Sequence, residues 1–194
     1  MINIILCNSS LIKERNIRMF FENKFIKKEI IINKIILNNS YIIQPINSEG
    51  ITKCYNKIMT MITHVNKNQI PNIDFIVTIN NSLEILNNNI NDIVNIMIYE
   101  YSLNKIYEYS GIPIKIDILI LDKYPDFTKI INTLVKNYEK NYLSNGIITT
   151  IDTIIYNYYP ELFDWRGQIF KKSYNDQINE GLDFVFNYSF NKYI

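Results

Sequence analysis

The stretch INIILCNSSLIK, residues 2–13, sets the start of the fold. Residues 2–7 form a short apolar run of the kind that becomes a buried β-strand. The polar triplet Asn8-Ser9-Ser10 ends this run and is typical of a helix N-cap. From Leu11 to Phe25, apolar residues alternate with charged ones as in an amphipathic helix. A strand, a short polar loop and a helix in this order predict the first unit of an α/β domain.

The same alternation continues along the chain, with no internal repeat and no linker. Further strands are predicted at residues 29–37, 74–79, 90–101, 105–109, 114–120 and 146–156, and further helices at residues 48–66, 127–142 and 172–187. Residues 90–101 and 105–109 are expected to pair as an antiparallel ribbon. We therefore predict a single domain over residues 1–194, of the α/β class, with a mixed twisted sheet and flanking helices.

Two polar segments are expected to meet at one edge of this sheet. The first predicted strand ends at Asn8-Ser9-Ser10, and the strand at residues 74–79 ends at Asn80-Asn81-Ser82. Open α/β sheets bind their ligands at the carboxyl ends of the strands. We therefore expect the binding site where these two segments lie together.

Composition excludes several classes of protein. An apolar fraction of 47% with 20% charged residues is typical of a globular chain. A net charge of +1 is too small for binding nucleic acid through phosphate contacts alone. No apolar run reaches the roughly 18 residues that cross a bilayer, so no membrane partner is expected. Two cysteines, Cys7 and Cys54, favour reduced core thiols and a cytoplasmic protein.

The codon usage behind this chain limits what single residues can indicate. Alanine does not occur, and arginine occurs only at Arg15, Arg18 and Arg166. These omissions indicate an AT-rich genome, such as that of a large DNA virus or a protist. Such a genome inflates isoleucine, asparagine and tyrosine throughout, so the many tyrosines are no sign of stacking on nucleic-acid bases.

Four segments, in order, resemble the inosine/xanthosine triphosphatase family, the non-canonical purine nucleotide phosphatases. Residues 2–13 resemble its first strand and T-N-P-x-K loop, and QPINSEGITKCYNKI (44–58) resembles its Q-P-x-x-S-E-E-x-x-x-G-A-x-N-R-A stretch. The strand DFIVTINN (74–81) resembles its D-x-x-V-G-I-E-G/S-G segment. The segment KSYNDQINEGL (172–182) resembles its closing T-R-x-x-x-Y-x-x-A-V-x-x-A-L helix.

The resemblance implies an inosine triphosphatase-like fold and hydrolysis of ITP and XTP with Mg²⁺ or Mn²⁺. Lys13 matches the lysine that contacts the phosphates in this family. The nucleotide-binding candidates are Asn8, Ser9, Ser10, Lys13, Asn80, Asn81 and Lys172.

The sequence departs from the family where the metal is held. One metal carboxylate lies shortly before the Q-P pair, where this chain has Asn38-Asn39-Ser40, and the other is replaced by Asn80. An amide oxygen carries no charge, and Mg²⁺ usually needs carboxylates. We therefore predict no metal site. If the protein is catalytic, the candidate acids are Glu49 and Glu84. The helix also has Lys53-Cys54 in place of Gly-Ala and Lys57 in place of arginine.

The C-terminal part resembles a second branch of the same fold. The C-terminal domain of the eukaryotic proline-rich coiled-coil proteins has an Asp-Trp pair followed by a glutamine that opens the last helix. Asp164-Trp165 and Gln177 are similar to this arrangement. That branch has an apparent interaction role, so the similarity favours a protein without enzymatic activity.

Simpler interpretations stand beside these. Lys13 fits a solvated helix position as well as a phosphate contact, and Asn8-Ser9-Ser10 fits ordinary capping. Glu49 suits the dipole of a helix start better than catalysis. The single histidine, His64, is expected on a helix surface away from the site. Trp165-Arg166, expected in a loop, fits either an exposed binding anchor or a pair that packs the loop onto the sheet.

Three hypotheses follow. The first is a nucleotide-binding pseudoenzyme that binds a purine nucleotide and needs no cofactor. The second is an active hydrolase that uses Mg²⁺ or Mn²⁺ held by Glu49, Asp74 or Glu84. The third is a non-enzymatic scaffold or interaction protein. A homodimer or another protein partner is expected, because the family often forms dimers.

Overall fold

The computed structural model describes residues 1–8, 10–36, 45–46, 49–86, 89–116, 124, 126, 129, 132 and 150–189. The strands are β1 (Ile2–Leu6), β2 (Ile30–Lys34), β3 (Phe75–Leu86), β4 (Asn89–Glu100), β5 (Lys105–Ser110) and β6 (Ile114–Ile116). The helices are α1 (Leu11–Lys24), α2 (Glu49–Lys67), α3 (Ile151–Tyr158), α4 (Trp165–Phe170) and α5 (Tyr174–Ser189). None of these helices is long and apolar enough to cross a membrane.

The six strands form one mixed sheet. Its order is β2-β1-β3-β4-β5, and β6 pairs with β4 beyond the end of β5. Strand β1 lies parallel to β2 and to β3, whereas β4 lies antiparallel to β3, β5 and β6. The predicted α/β class with a mixed sheet and flanking helices is therefore confirmed, and so is the antiparallel ribbon of β4 and β5.

Alternate residues of the strands face two separate apolar cores. Ile4 and Leu6 of β1 belong to a core that contains α1 and α5, whereas Ile5 between them packs against α2. The predicted buried face of the last helix, with Ile178, Leu182 and Val185, lies in the first of these cores. The strand period of two thus places helices on both faces of the sheet.

The third strand runs further than the sequence predicts. Asn80-Asn81-Ser82 was expected to end it, yet β3 continues to Leu86 because it pairs with β4 along its whole length. In this pairing Asn80 lies opposite Asn95, and the Ser82 hydroxyl accepts a hydrogen bond of 2.7 Å from the Asn95 amide. Pairing with β4 holds these residues in a strand, although their local preference is for a turn.

The strand predicted at residues 146–156 is wrong, because residues 151–158 form helix α3. The Thr150 hydroxyl accepts a hydrogen bond from the Thr153 amide and starts the helix. Ile151 and Ile155 are one helical turn apart, and both are fully buried in a third core beside Leu83 and Trp165. Burial of this face outweighs the β-preference of the isoleucines and threonines. Residues 146–149 lie outside the described residues.

The expected loop at Trp165-Arg166 is also wrong, since both residues open helix α4. Asp164 caps this helix by accepting a hydrogen bond from the Gly167 amide. Both side chains are buried, so they pack the helix against the sheet and do not form an exposed anchor. Ser48, Ile118 and Ile120 lie outside the described residues. So does most of the helix predicted at 127–142, although Lys129 and Asn132 within it, and Asp126 just before it, are helical.

Replacing Gly50 with alanine is expected to destabilise the protein. A Cβ atom there would lie 2.5 Å from the Ser82 hydroxyl and 2.5 Å from the Asn95 amide nitrogen. Ser82 Cβ would lie 2.6 Å away and is fixed to the backbone of β3, so we expect a loss toward the upper part of the range of about 1–3 kcal/mol that overpacking costs. Urea denaturation measures it, with the exposed helical Thr52→Ala as control. An unchanged midpoint would show that α2 moves freely on the sheet.

Candidate functional site

A cleft of about 1190 Å³ opens beside the carboxyl end of β1. Its walls come from the start of α1, one side of α2, the middle of β3, and the segments around α3, α4 and the start of α5. Small-molecule sites usually measure about 300–1,000 Å³, so the cleft is large enough for a nucleotide. The cleft therefore lies at the sheet edge where the sequence predicts a binding site.

The loop after β1 is tied to the neighbouring strand. The Cys7 amide donates a 2.9 Å hydrogen bond to the Val77 carbonyl, and Asn8 Oδ1 accepts a 3.1 Å bond from the Ile79 amide. These bonds use β3 to fix the start of α1. The Ser10 side chain makes no capping bond, so the first-turn amides of α1 receive no cap from this residue at the edge of the cleft.

Among the residues that the structure describes, three lysines line the cleft, namely Lys13, Lys53 and Lys57. Lys13 Nζ donates a 2.8 Å hydrogen bond to the Ile79 carbonyl, and Lys57 Nζ donates a 2.9 Å bond to Asn80 Oδ1. Asn80 is only 7% exposed, and its amide nitrogen has no partner among the described residues. The corner between α1, α2 and β3 thus combines positive charge with an unused hydrogen-bond donor, which suits an anion.

Burial changes how these lysines titrate. Burial, together with the neighbouring Lys57 ammonium, lowers the pKa of Lys13 to about 8. Burial also lowers the pKa of Lys53 and of Lys57. An anion bound among the three ammonium groups would relieve this cost, because it would favour their charged forms.

The two cysteines stand close to this lysine corner but do not add a reactive group. Burial raises the pKa of Cys7 to about 12 and that of Cys54 to about 11. Both thiols therefore stay protonated near neutral pH, which makes them poor nucleophiles and poor metal ligands.

An ion-pair network forms the opposite wall. The Arg166 guanidinium donates to both oxygens of Asp92, at 2.6 and 3.0 Å, and to Asp152 Oδ1 at 2.6 Å. Asp92 is fully buried on β4, whereas the Asp152 side chain is 53% exposed. Trp165 Nε1 also donates to Asp152 Oδ1 at 2.7 Å, and its ring lies 4.2 Å from the guanidinium carbon. The network anchors α3 and α4 to the sheet.

Tyr174, the first residue of α5, faces the cleft with an unused hydroxyl. This hydroxyl is buried and has no hydrogen-bond partner among the described residues. Burial raises the pKa of Tyr174, and the nearby Arg166 only partly offsets this. The group is therefore a neutral donor that a ligand could use.

Replacing Tyr174 with phenylalanine is expected to leave the free energy of unfolding unchanged or to raise it, because a buried hydroxyl without a partner costs about 1–3 kcal/mol. Thermal or urea denaturation tests this. The matched control is Tyr107→Phe, which removes a 3.1 Å hydrogen bond to the buried Glu100 carboxylate and should cost roughly 1–2 kcal/mol. A comparable loss at Tyr174 would reveal a partner for its hydroxyl.

The structure brings most of the predicted nucleotide-binding residues together. Asn8, Ser10, Lys13, Asn80 and Asn81 line the cleft, and Ser9 lies outside the described residues. Lys172 does not line it, because its ammonium pairs with Glu180 at 2.6 Å.

The candidate acids lie elsewhere. Glu84 accepts a bond from Asn91, and Glu49 is in the first turn of α2; neither lines the cleft. Asp74 accepts from the Asn3 amide at the opposite end of β1, so it cannot replace a metal ligand at this edge. No cluster of three metal-ligating side chains occurs among the described residues, and Asn38-Asn39-Ser40 lies outside them.

The sequence analysis did not predict that Asp152 and Tyr174 line the cleft. It also did not predict that Asp92 forms a buried ion pair. An acid within the apolar run 90–101 was a signal that Asp92 needed a buried cationic partner. Nothing in the sequence pointed to Arg166 as that partner. His64, as expected, lies late on α2, where its ring nitrogen contacts Asn68 at the exposed surface.

Comparison with known proteins gives information on the fold. No protein-family model matches the chain, and no curated protein matches it. Among solved structures, the chain is similar to protein VC0702 from Vibrio cholerae, with a TM-score of 0.66 and 12% sequence identity. The alignment covers 99% of this chain and 97% of that protein. At this level of identity the two proteins share a fold, and nothing about activity follows.

Proposed function

We propose that this protein binds a nucleotide in the cleft, with the phosphates at the corner formed by Lys13, Lys57 and the start of α1. One observation carries the proposal. Three half-buried lysines on α1 and α2 line the cleft, whereas its described carboxylates, Asp152 and Asp164, lie on α3 and at the cap of α4. Clustered ammonium groups and a helix start are the donors that phosphate binding requires.

A purine nucleotide is the proposed ligand, in keeping with the resemblance to inosine/xanthosine triphosphatases. We also propose that the chain has the inosine triphosphatase-like fold. Hydrolysis is proposed to be impaired, because Asn80 stands where that family has a metal-binding glutamate, and neither Glu49 nor Glu84 lines the cleft. Self-association remains a separate proposal, which the oligomeric state in solution would test.

A thermal-shift panel of ITP, XTP, ATP and GTP tests nucleotide binding. A ligand at about one hundred times its dissociation constant adds roughly 2.7 kcal/mol to the stability of the folded state. We expect a clear rise in Tm with at least one of the purine triphosphates. No shift with any nucleotide would reject the proposal and favour an interaction protein that uses the fold as a scaffold. Phosphate release at high protein concentration that stops with EDTA would favour the active hydrolase.

A further inference from the structure

We propose that the cleft takes its polyphosphate without a divalent cation, and that the ammonium groups of Lys13 and Lys57 fill the place of the metal. The proposal rests on the nucleotide binding proposed above and specifies the chemical form of the ligand. It also predicts that Mg²⁺ opposes binding.

The oxygen atoms that a cation would need at this corner are already used. The Ile79 carbonyl accepts from Lys13 at 2.8 Å, and Asn80 Oδ1 accepts from Lys57 at 2.9 Å. A divalent ion at either oxygen would lie beside the ammonium group that the oxygen already accepts from, and the two like charges would repel each other. Both oxygens are also uncharged, whereas Mg²⁺ binds proteins mainly through carboxylates.

The carboxylates of the opposite wall do not fill this gap. Asp152 Oδ1 is held by Trp165 and Arg166, and Asp164 Oδ1 caps α4. Among the described residues, the cleft lining thus offers two carboxylates that each already accept from protein donors and no group of three metal-ligating side chains, which is a poor fit for Mg²⁺. These contacts are the reason why the cleft differs from a site that binds its ligand through a metal ion.

The same corner is complementary to a polyphosphate free of metal. Lys13, Lys53 and Lys57 supply positive charge, and the unpaired amide nitrogen of Asn80 supplies a further donor. Mg²⁺ bound to a triphosphate cancels part of its negative charge and occupies the oxygens that the lysines would contact. The complex with Mg²⁺ should therefore bind more weakly than the free anion.

Isothermal titration calorimetry on the full chain tests this, with inorganic triphosphate and ITP as probes in EDTA and in excess MgCl₂. We expect binding in EDTA and a Kd that is weaker by about tenfold or more in MgCl₂. MgCl₂ alone should give no binding signal. A Kd that tightens with Mg²⁺ would overturn this proposal and leave nucleotide binding intact. No binding in either buffer would overturn nucleotide binding, and this proposal with it.

A double variant tests whether Lys57 and Asn80 cause the preference for the metal-free anion. Lys57→Met with Asn80→Asp removes the ammonium and introduces a carboxylate, so we expect Mg²⁺ to strengthen triphosphate binding. Lys172→Met, whose lysine pairs with Glu180 away from the cleft, should keep the preference for the free anion. A folded double variant that still prefers the free anion would show that Lys57 and Asn80 do not replace the metal.

Discussion

Replacing Asp92 with alanine is expected to lower the free energy of unfolding by about 3–5 kcal/mol, the cost of stranding one partner of a buried ion pair. Asp92 is fully buried, and Arg166 is 4% exposed. Two hydrogen bonds of 2.6 and 3.0 Å join them, so the substitution leaves a buried guanidinium with only Asp152 beside it. Domains of this size are stable by only about 5–15 kcal/mol, so much of the stability would be lost.

Urea denaturation followed by circular dichroism measures this effect. Asp152→Ala is the matched control, because it removes another carboxylate from the same guanidinium but one that is 53% exposed; water can replace it, and we expect a loss of roughly 1 kcal/mol. The double variant Asp92→Leu with Arg166→Met should recover much of the stability, since no buried charge is left unpaired. A loss below that of the control would contradict a structural role for the pair.

Replacing Lys13 with methionine is expected to weaken nucleotide binding by roughly 10- to 100-fold, which corresponds to about 1.5–3 kcal/mol for a hydrogen bond to a charged group. Lys13 lies in the first turn of α1 and points to the Ile79 carbonyl, so its ammonium faces the proposed phosphate corner. Methionine keeps the length of the side chain. Titration calorimetry measures the change, and Lys172→Met serves as the control outside the cleft.

The lowered pKa of Lys13 adds a pH dependence to this prediction. Burial, with the Lys57 ammonium beside it, lowers this pKa to about 8, and the Asp152 carboxylate acts in the opposite direction. Below this pKa the ammonium is present; above it the free protein must take up a proton to bind the anion. Affinity should therefore fall as pH rises through 8, by at most about tenfold per pH unit for each proton taken up.

Lys13→Arg separates charge from other effects, because a guanidinium stays charged across this range. The nucleotide affinity of this variant should depend less on pH than that of the natural chain. The remaining pH dependence would come from Lys53 and Lys57, because their pKa values are also lowered. An affinity that does not change between pH 7 and pH 9.5 in the natural chain would contradict a role for the Lys13 ammonium.

Local patterns predicted most of the fold. The strand at β1, the helices α1, α2 and α5, and the ribbon of β4 and β5 follow from apolar periodicity and from polar breaks. The binding site was predicted at one sheet edge from the position of Asn8-Ser9-Ser10 after the first strand, and the cleft lies at the same edge. These features are encoded within a few residues, because side-chain spacing alone decides which face of an element can be buried.

The failures occurred where a distant partner outweighs local preference. Residues 151–158 carry strand-forming isoleucines, yet they form α3 because Ile151 and Ile155 complete a core with Leu83 and Trp165. Asn80-Asn81-Ser82 has the composition of a turn, yet it continues β3 because β4 pairs with it. Such contacts join residues far apart in the sequence, so no local window contains them.

The sequence by itself determined an α/β domain with a mixed sheet, a polar loop after the first strand and a lysine near that loop. Only the tertiary structure decided that Lys13, Lys53 and Lys57 share one cleft, that Lys57 binds Asn80, and that Arg166 pairs with Asp92. The physical reason is the range of the interactions. Periodicity acts over a turn or a strand, whereas the charge in a cleft depends on which elements the whole chain brings together.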